Sequence, residues 1–283
     1  MTAPSEQKYA LGLSPHGFHR IAYQVWGRPD APRSVVCVHG LVRNAHDFDH
    51  LAAALAENLR VICVDIPGRG ASDDLGDPAF YAYPQYLADM TALLARLDVT
   101  EVDWIGTSMG GLIGMLLAAQ PRTPIRRLVL NDVGPFLSAA AIARIAAYVS
   151  TPPQFPDLAA AEAYLGKIYH HVGPCTAADR AAFARHSLRP LPGGGFRLRY
   201  DPGIAQNFAA AKTGIDLWPV YDRITCPTLV LRGALSDVLD ATTAAAMTQR
   251  GPRAALVTIP DIGHFPALMD THQTDIVCNF LNS

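Results

Sequence analysis

Ser108 stands in Gly106-Thr-Ser-Met-Gly110, with a further glycine at 111. An apolar run, Val102 to Ile105, leads into it, and an apolar segment, Leu112 to Ala119, follows. Strand, sharp turn and helix is the context in which a serine between glycines is lifted out of a sheet as a nucleophile. A side chain at either flanking glycine would crowd the neighbouring backbone. An unactivated serine hydroxyl attacks poorly near neutral pH, so a base must stand close by. Of the 10 histidines, His264 has the strongest claim. It lies in the loop Pro260-Asp-Ile-Gly-His-Phe265, just past an apolar strand-like run at 255–259, on the sheet edge where Ser108 is expected. The imidazole needs a carboxylate to hold its tautomer and to stabilise its cationic form. Asp237, in the loop Gly233-Ala-Leu-Ser-Asp237 after the run 227–232, is the preferred candidate. Asp132, just past the run 126–130, is its rival, and Asp240 and Asp261 are weaker.

A tetrahedral oxyanion needs N–H donors. The expected pair is the amide of Met109, which follows the nucleophile, and the amide of Leu41 in the loop His39-Gly-Leu-Val-Arg43. His39 reads as a structural residue hydrogen-bonded to loop backbone. The glycine-rich Asp65-to-Asp73 loop fits no phosphate-binding pattern, and Arg69 within it is expected to tie the loop down through salt bridges. No His-x-His or His-Glu-x-x-His spacing is present, so no metal is expected, and no cofactor is implied.

These residues must be positioned by a sheet. Buried-type runs at 34–38, 61–66, 102–106, 126–130, 227–232 and 255–259 alternate with helical patterns near 46–59, 86–97, 240–249 and 271–281. That rhythm is the mark of βα units with parallel strands and crossover helices on both faces. An opening hairpin, 9–13 and 18–26, precedes them. The rhythm breaks over 136–215, where helical pieces at 139–149, 158–170 and 176–188 replace strands. About 80 residues is too long for a simple connection. The division is therefore a core of 1–135 and 216–283 with a mostly helical cap, 136–215, inserted between. Cap residues Phe136, Leu137, Tyr148, Tyr164 and Phe208, with Arg43 from the core, are candidate substrate contacts.

The chain has 283 residues, 50% of them apolar and 17% charged, with a formal net charge of -2. No basic face is implied, so nucleic acid is not an expected partner. No run has the length of a membrane span, and the polar start, Met1 to Lys8, lacks a secretory signal pattern. A cytoplasmic protein acting on a small molecule is expected, as monomer or homodimer. The five cysteines are scattered and read as small buried hydrophobes.

His39-Gly40, Asp65-x-Pro-Gly-Arg-Gly-x-Ser72, Gly106-Thr-Ser-Met-Gly-Gly111, Asn131-Asp-Val-Gly-Pro135, Gly233-x-x-Ser-Asp237 and Gly263-His264 occur in order along the chain. With them the sequence resembles the α/β-hydrolase superfamily over residues 8–283, most of all its capped esterase, lactonase and C–C hydrolase branch. The resemblance implies an α/β fold with an eight-stranded, mostly parallel sheet, its second strand antiparallel, helices on both faces, and a helical cap after the sixth strand. It implies a serine esterase with Ser108 as nucleophile, His264 as base and Asp237 as acid, acting on an ester or lactone. A lactonase, a C–C hydrolase, a cofactor-free perhydrolase, or a non-catalytic binding protein on the same scaffold are the alternatives it leaves open. It also implies that Arg43 and Asn44 could hold a substrate carboxylate, as in C–C hydrolases.

Overall fold

A computed structural model describes residues 6–209 and 214–283. Eight strands form the central sheet: β1 (Glu6–Ser14), β2 (Gly17–Trp26), β3 (Ser34–Val38), β4 (Arg60–Val64), β5 (Val102–Thr107), β6 (Ile125–Asn131), β7 (Thr228–Gly233) and β8 (Ala255–Ile259). Their spatial order is β1-β2-β4-β3-β5-β6-β7-β8. β2 runs antiparallel to both β1 and β4, and the pairings from β4 through β8 are parallel. The expected architecture is therefore the one found.

The continuous apolar runs exist because both faces of the sheet are covered. Successive side chains point to opposite faces, so β3 divides its residues between two layers. Val36 and Val38 pack with Ile62, Val64 and Trp104. Val35 and Cys37 pack with Val61, Cys63 and Ile105. The first layer is closed by α2 (Tyr83–Leu97) and α3 (Met109–Ala118), through Met90, Leu93, Leu112, Ile113 and Met115. The second is closed by α1 (Asp49–Leu55), through Leu51 and Leu55, and by the C-terminal helix Thr271–Asn282, through Val277 and Leu281. The helix expected over 46–59 is shorter than its apolar pattern: a 3-10 turn, Ala45–Phe48, opens it, and the chain unwinds after Leu55.

Between β6 and β7 the chain leaves the sheet and forms the cap helices α4 (Ala139–Val149), α5 (Leu158–Ile168) and α6 (Ala177–Ser187). Three short strands, Gln154–Phe155, Leu188–Pro190 and Phe196–Leu198, pair antiparallel among them. Pieces of two or three residues lack the periodicity that marks a strand in sequence. The cap is stitched to the core by backbone. The Gly70 amide donates to the Arg199 carbonyl at 3.1 Å and the Asp201 amide to the Gly68 carbonyl at 2.7 Å. Among the described residues no helix is long and apolar enough to cross a membrane.

Candidate active site

Ser108 caps the N-terminus of α3 with φ 50° and ψ −114°, a strained conformation for a residue with a Cβ. Close packing on both sides holds it there. A Cβ at Gly106 would lie 2.3 Å from the Gly110 carbonyl carbon, and one at Gly110 would lie 2.0 Å from the Val38 oxygen. Strand and helix thus meet at backbone contact, and the serine is the residue left to project. Its amide is fixed by the Asn131 carbonyl at 3.0 Å.

His264 Nε2 lies 3.2 Å from Ser108 Oγ. Its Nδ1 lies 2.6 Å from Asp132 Oδ2. Asp132 is fully buried and has φ 54°. Its carboxylate also accepts from the Gly233 amide at 2.9 Å and from Ser236 Oγ at 2.5 Å. Three donors converge on two oxygens, which fixes the orientation of the carboxylate. The histidine loop is held by the cap, because the Gly263 amide donates to the His171 carbonyl at 2.7 Å and the Ala267 amide to the Val172 carbonyl at 2.9 Å.

The residue expected behind His264, Asp237, is not there. It sits at the cavity mouth, its side chain 57% exposed, paired with Arg144 of α4 at 2.9 Å. The reason is the turn after β7. Ser236 takes the inward position, giving its hydroxyl to Asp132 and accepting from the Val238 and Leu239 amides at 3.2 and 3.1 Å. Its neighbour Asp237 then points out. Both aspartates follow strands at the same sheet edge, so strand order alone did not separate them.

The loop after β3 lies against the serine, with the Gly40 position 3.7 Å from Ser108 Cβ when a Cβ is built on it. Among the described residues neither the Leu41 nor the Met109 amide has an acceptor, so both are free to donate. His39 is fully buried. It bonds the Gly40 carbonyl at 2.7 Å and accepts from the Ile66 amide at 3.0 Å. Burial pushes it down to about 3, with Arg69 and Arg43 adding to the effect against the opposing Gly40 carbonyl, so it stays neutral and structural. Arg69 does pin its loop, through carbonyls and not the expected ion pairs. It donates to the Leu41 and Pro67 carbonyls, each at 2.8 Å, and to Tyr86 Oη at 3.0 Å.

Above Ser108 lies a cavity of about 710 Å³ lined by core and cap. Leu41, Arg43, Tyr148 and Tyr164 are in its lining, together with Arg144, Tyr169, His170 and His171. Phe136 and Leu137 do not line it. They form a two-residue strand paired with Ile215–Asp216, which turns Leu137 into the core. The side chain of Phe208 lies outside the described residues. Arg43 faces the cavity but is already engaged. It is buried and chelated by Asp47 through Nε at 3.0 and 3.1 Å, with Nη1 on Ser187 Oγ at 2.7 Å. Its guanidinium stacks on Phe183, 3.7 Å from the ring centre. Asn44 reaches the His186 carbonyl at 2.9 Å. Both residues therefore fasten the cap. No periodicity in the sequence signals Arg144; only the packing of α4 over the mouth brings it in.

Among the described residues one cluster has metal-ligating types, His46, Asp49 and His186. The two imidazoles stack 3.6 Å apart at 21°. Lone pairs lie in the ring planes, so two stacked rings do not direct them at one point.

The chain and its fold have counterparts among known proteins. The model of the alpha/beta hydrolase fold family matches residues 33–270. The 3-hydroxybutyrate-oligomer hydrolase of Cupriavidus necator is 43% identical, with 99% of each chain covered. The 2-(acetamidomethylene)succinate hydrolase of Mesorhizobium japonicum is 28% identical over 80% of each. The crystal structure of a putative hydrolase from Rickettsia typhi superposes with a TM-score of 0.92 at 32% identity, covering 98% of this chain and 99% of that one. This chain belongs to the α/β-hydrolase fold family and is a hydrolase of that type.

Proposed function

We propose that the protein is a serine hydrolase of carboxylic esters, and that its substrates are short oligomers of a 3-hydroxyalkanoate such as 3-hydroxybutyrate. The observation that carries the mechanism is the unbroken line of hydrogen bonds Asp132–His264–Ser108, at 2.6 and 3.2 Å. The full-length similarity to the oligomer hydrolase supports the substrate class, as does a cavity of about 710 Å³ with carbon-rich and polar lining.

Ser108 Oγ attacks the ester carbonyl carbon while His264 Nε2 takes its proton. The carbonyl π electrons move onto the oxygen, which accepts from the Leu41 and Met109 amides. Collapse of this intermediate breaks the C–O bond to the alcohol half, and His264 returns the proton to that leaving oxygen. The acyl group is left on Ser108. Water, deprotonated by His264, attacks the acyl carbon; the bond from that carbon to Ser108 Oγ breaks, His264 gives its proton to Oγ, and the acid leaves. Asp132 holds Nδ1–H throughout and stabilises the transient imidazolium.

The test is hydrolysis of p-nitrophenyl butyrate and of 3-hydroxybutyrate dimer and trimer by wild type and Ser108→Ala. The proposal predicts turnover of both substrate types by wild type and loss of more than about a thousandfold in the variant. Equal rates in the two proteins would remove the serine mechanism. Turnover of the p-nitrophenyl ester alone would remove the oligomer assignment.

A further inference from the structure

The mouth of the cavity holds a charged pair that the mechanism does not use. Arg144, on cap helix α4, meets Asp237, on the core loop after β7, through one Nη2–Oδ1 contact of 2.9 Å. The side chains are 48% and 57% exposed, and both line the cavity that contains Ser108. Among the described residues Arg144 has no other hydrogen-bonding partner. The other arginine of the lining, Arg43, is buried and committed to Asp47 and Ser187.

We propose that Arg144 is the subsite for the terminal carboxylate of the substrate, which displaces Asp237 from the guanidinium. This rests on the ester-hydrolase reading of the same site. An exposed ion pair contributes little net stability, so exchanging one carboxylate for another costs little. A planar guanidinium with donors to spare takes a carboxylate in a two-pronged geometry that a single Asp contact leaves unused. A hydroxyalkanoate oligomer carries its only charge on the carboxyl end, and that end belongs to the alcohol half of the last ester. Holding it at the mouth places the terminal ester further in, toward Ser108, and sets which bond is cut. The subsite selects free-acid oligomers over neutral esters of the same length.

The smallest probe pair is 3-butyryloxybutyrate and its methyl ester, which share the butyryl ester bond and differ by one charge; release of butyrate reads that bond and leaves cleavage of the methyl ester uncounted. The readout is the ratio of kcat/KM for the acid to that for the methyl ester. In wild type the ratio exceeds one, and Arg144→Gln lowers it by about tenfold, the scale of one partly exposed charge-assisted contact. The loss appears in KM. Arg144→Lys, which keeps the charge without the fork, gives an intermediate ratio and serves if the glutamine variant does not fold. A wild-type ratio at or below one, or a ratio that Arg144→Gln leaves unchanged, overturns the subsite. Calorimetric binding of the free acid to Ser108→Ala protein reads the same subsite without turnover. About tenfold weaker binding on adding Arg144→Gln supports it, and equal binding overturns it. Absence of all ester turnover in wild type would strike the proposed function, and the calorimetry would still decide the subsite.

Discussion

Replacing Asp132 by Asn and, separately, Asp237 by Asn distinguishes the two acids that share this sheet edge. Asp132 accepts from three donors, His264 Nδ1 at 2.6 Å, Ser236 Oγ at 2.5 Å and the Gly233 amide at 2.9 Å. A carboxamide has one acceptor oxygen. If its NH2 group faces His264, Nδ1 must become the acceptor and the Nε2–H then points at Ser108, where no lone pair remains to take the hydroxyl proton. If the NH2 faces the Gly233 amide, two donors collide in a fully buried site. The first arrangement costs about 10⁴ in kcat, or about 5 kcal/mol of barrier. Either one leaves a buried donor unmet, at about 1–3 kcal/mol of folding stability. Asp237→Asn disturbs only an exposed pair, at about 0–1 kcal/mol, and lowers kcat on a neutral ester by less than about fivefold. The assay is kcat for p-nitrophenyl butyrate at pH 7 to 8, with Tm measured alongside. A loss of thousandsfold in Asp237→Asn beside near-normal Asp132→Asn would refute the reasoning and restore the acid expected from the sequence.

Arg43→Ala leaves Asp47 buried without its cation and is predicted to cost about 3–5 kcal/mol of stability, seen as a lower midpoint in urea; Arg43→Leu with Asp47→Leu recovers most of it. His39 is held near 3 against about 6.5 in the unfolded chain. The unfolded chain therefore binds the extra proton between these values, and stability falls as pH drops from about 6.5 to about 3, by an amount on the order of 5 kcal/mol. Urea titrations from pH 4 to 7 should show that slope, and His39→Gln should flatten it; a slope unaltered by the substitution would assign the acid sensitivity elsewhere. His186, depressed to about 4 chiefly by burial, adds in the same direction but less, because its shift is smaller. Gly110→Ala places a Cβ 2.0 Å from the Val38 oxygen, a backbone atom with nowhere to go, and is predicted to destabilise by more than about 3 kcal/mol, measured by chemical denaturation.

Much of this site was legible because its constraints are local. Gly106, Ser108 and Gly110 lie within five residues, and the collisions that demand glycine come from the start of the turn's own helix for Gly106 and from the end of the adjacent β3 for Gly110. His264 was reachable because a histidine after the last strand has one edge of the sheet to occupy. The acid was harder. Asp132 and Asp237 stand after neighbouring strands, and the choice is made by Ser236, whose hydroxyl fills the inward position of its turn. That preference is a property of three residues in space and leaves no period in the sequence. The cap was visible as an interruption in the βα rhythm, yet its short strands and its contacts were not. Phe136 and Leu137 looked like pocket residues because they open the cap, and the pairing with Ile215–Asp216 turns them elsewhere. Arg43 looked like a ligand for substrate and is instead consumed by Asp47, four residues on. Arg144 is one polar residue in an alanine-rich helix until α4 is laid across the cavity.

The central claim is that Ser108 is the nucleophile made reactive by His264 and Asp132. It is tested most directly by treating the protein with a serine-reactive fluorophosphonate and locating the adduct by peptide mass spectrometry. The account predicts a single adduct on Ser108 that forms in step with loss of ester hydrolysis, is absent in Ser108→Ala, and forms far more slowly in His264→Ala and Asp132→Asn. Full labelling with hydrolysis intact, or hydrolysis lost with the adduct on another residue, would contradict it.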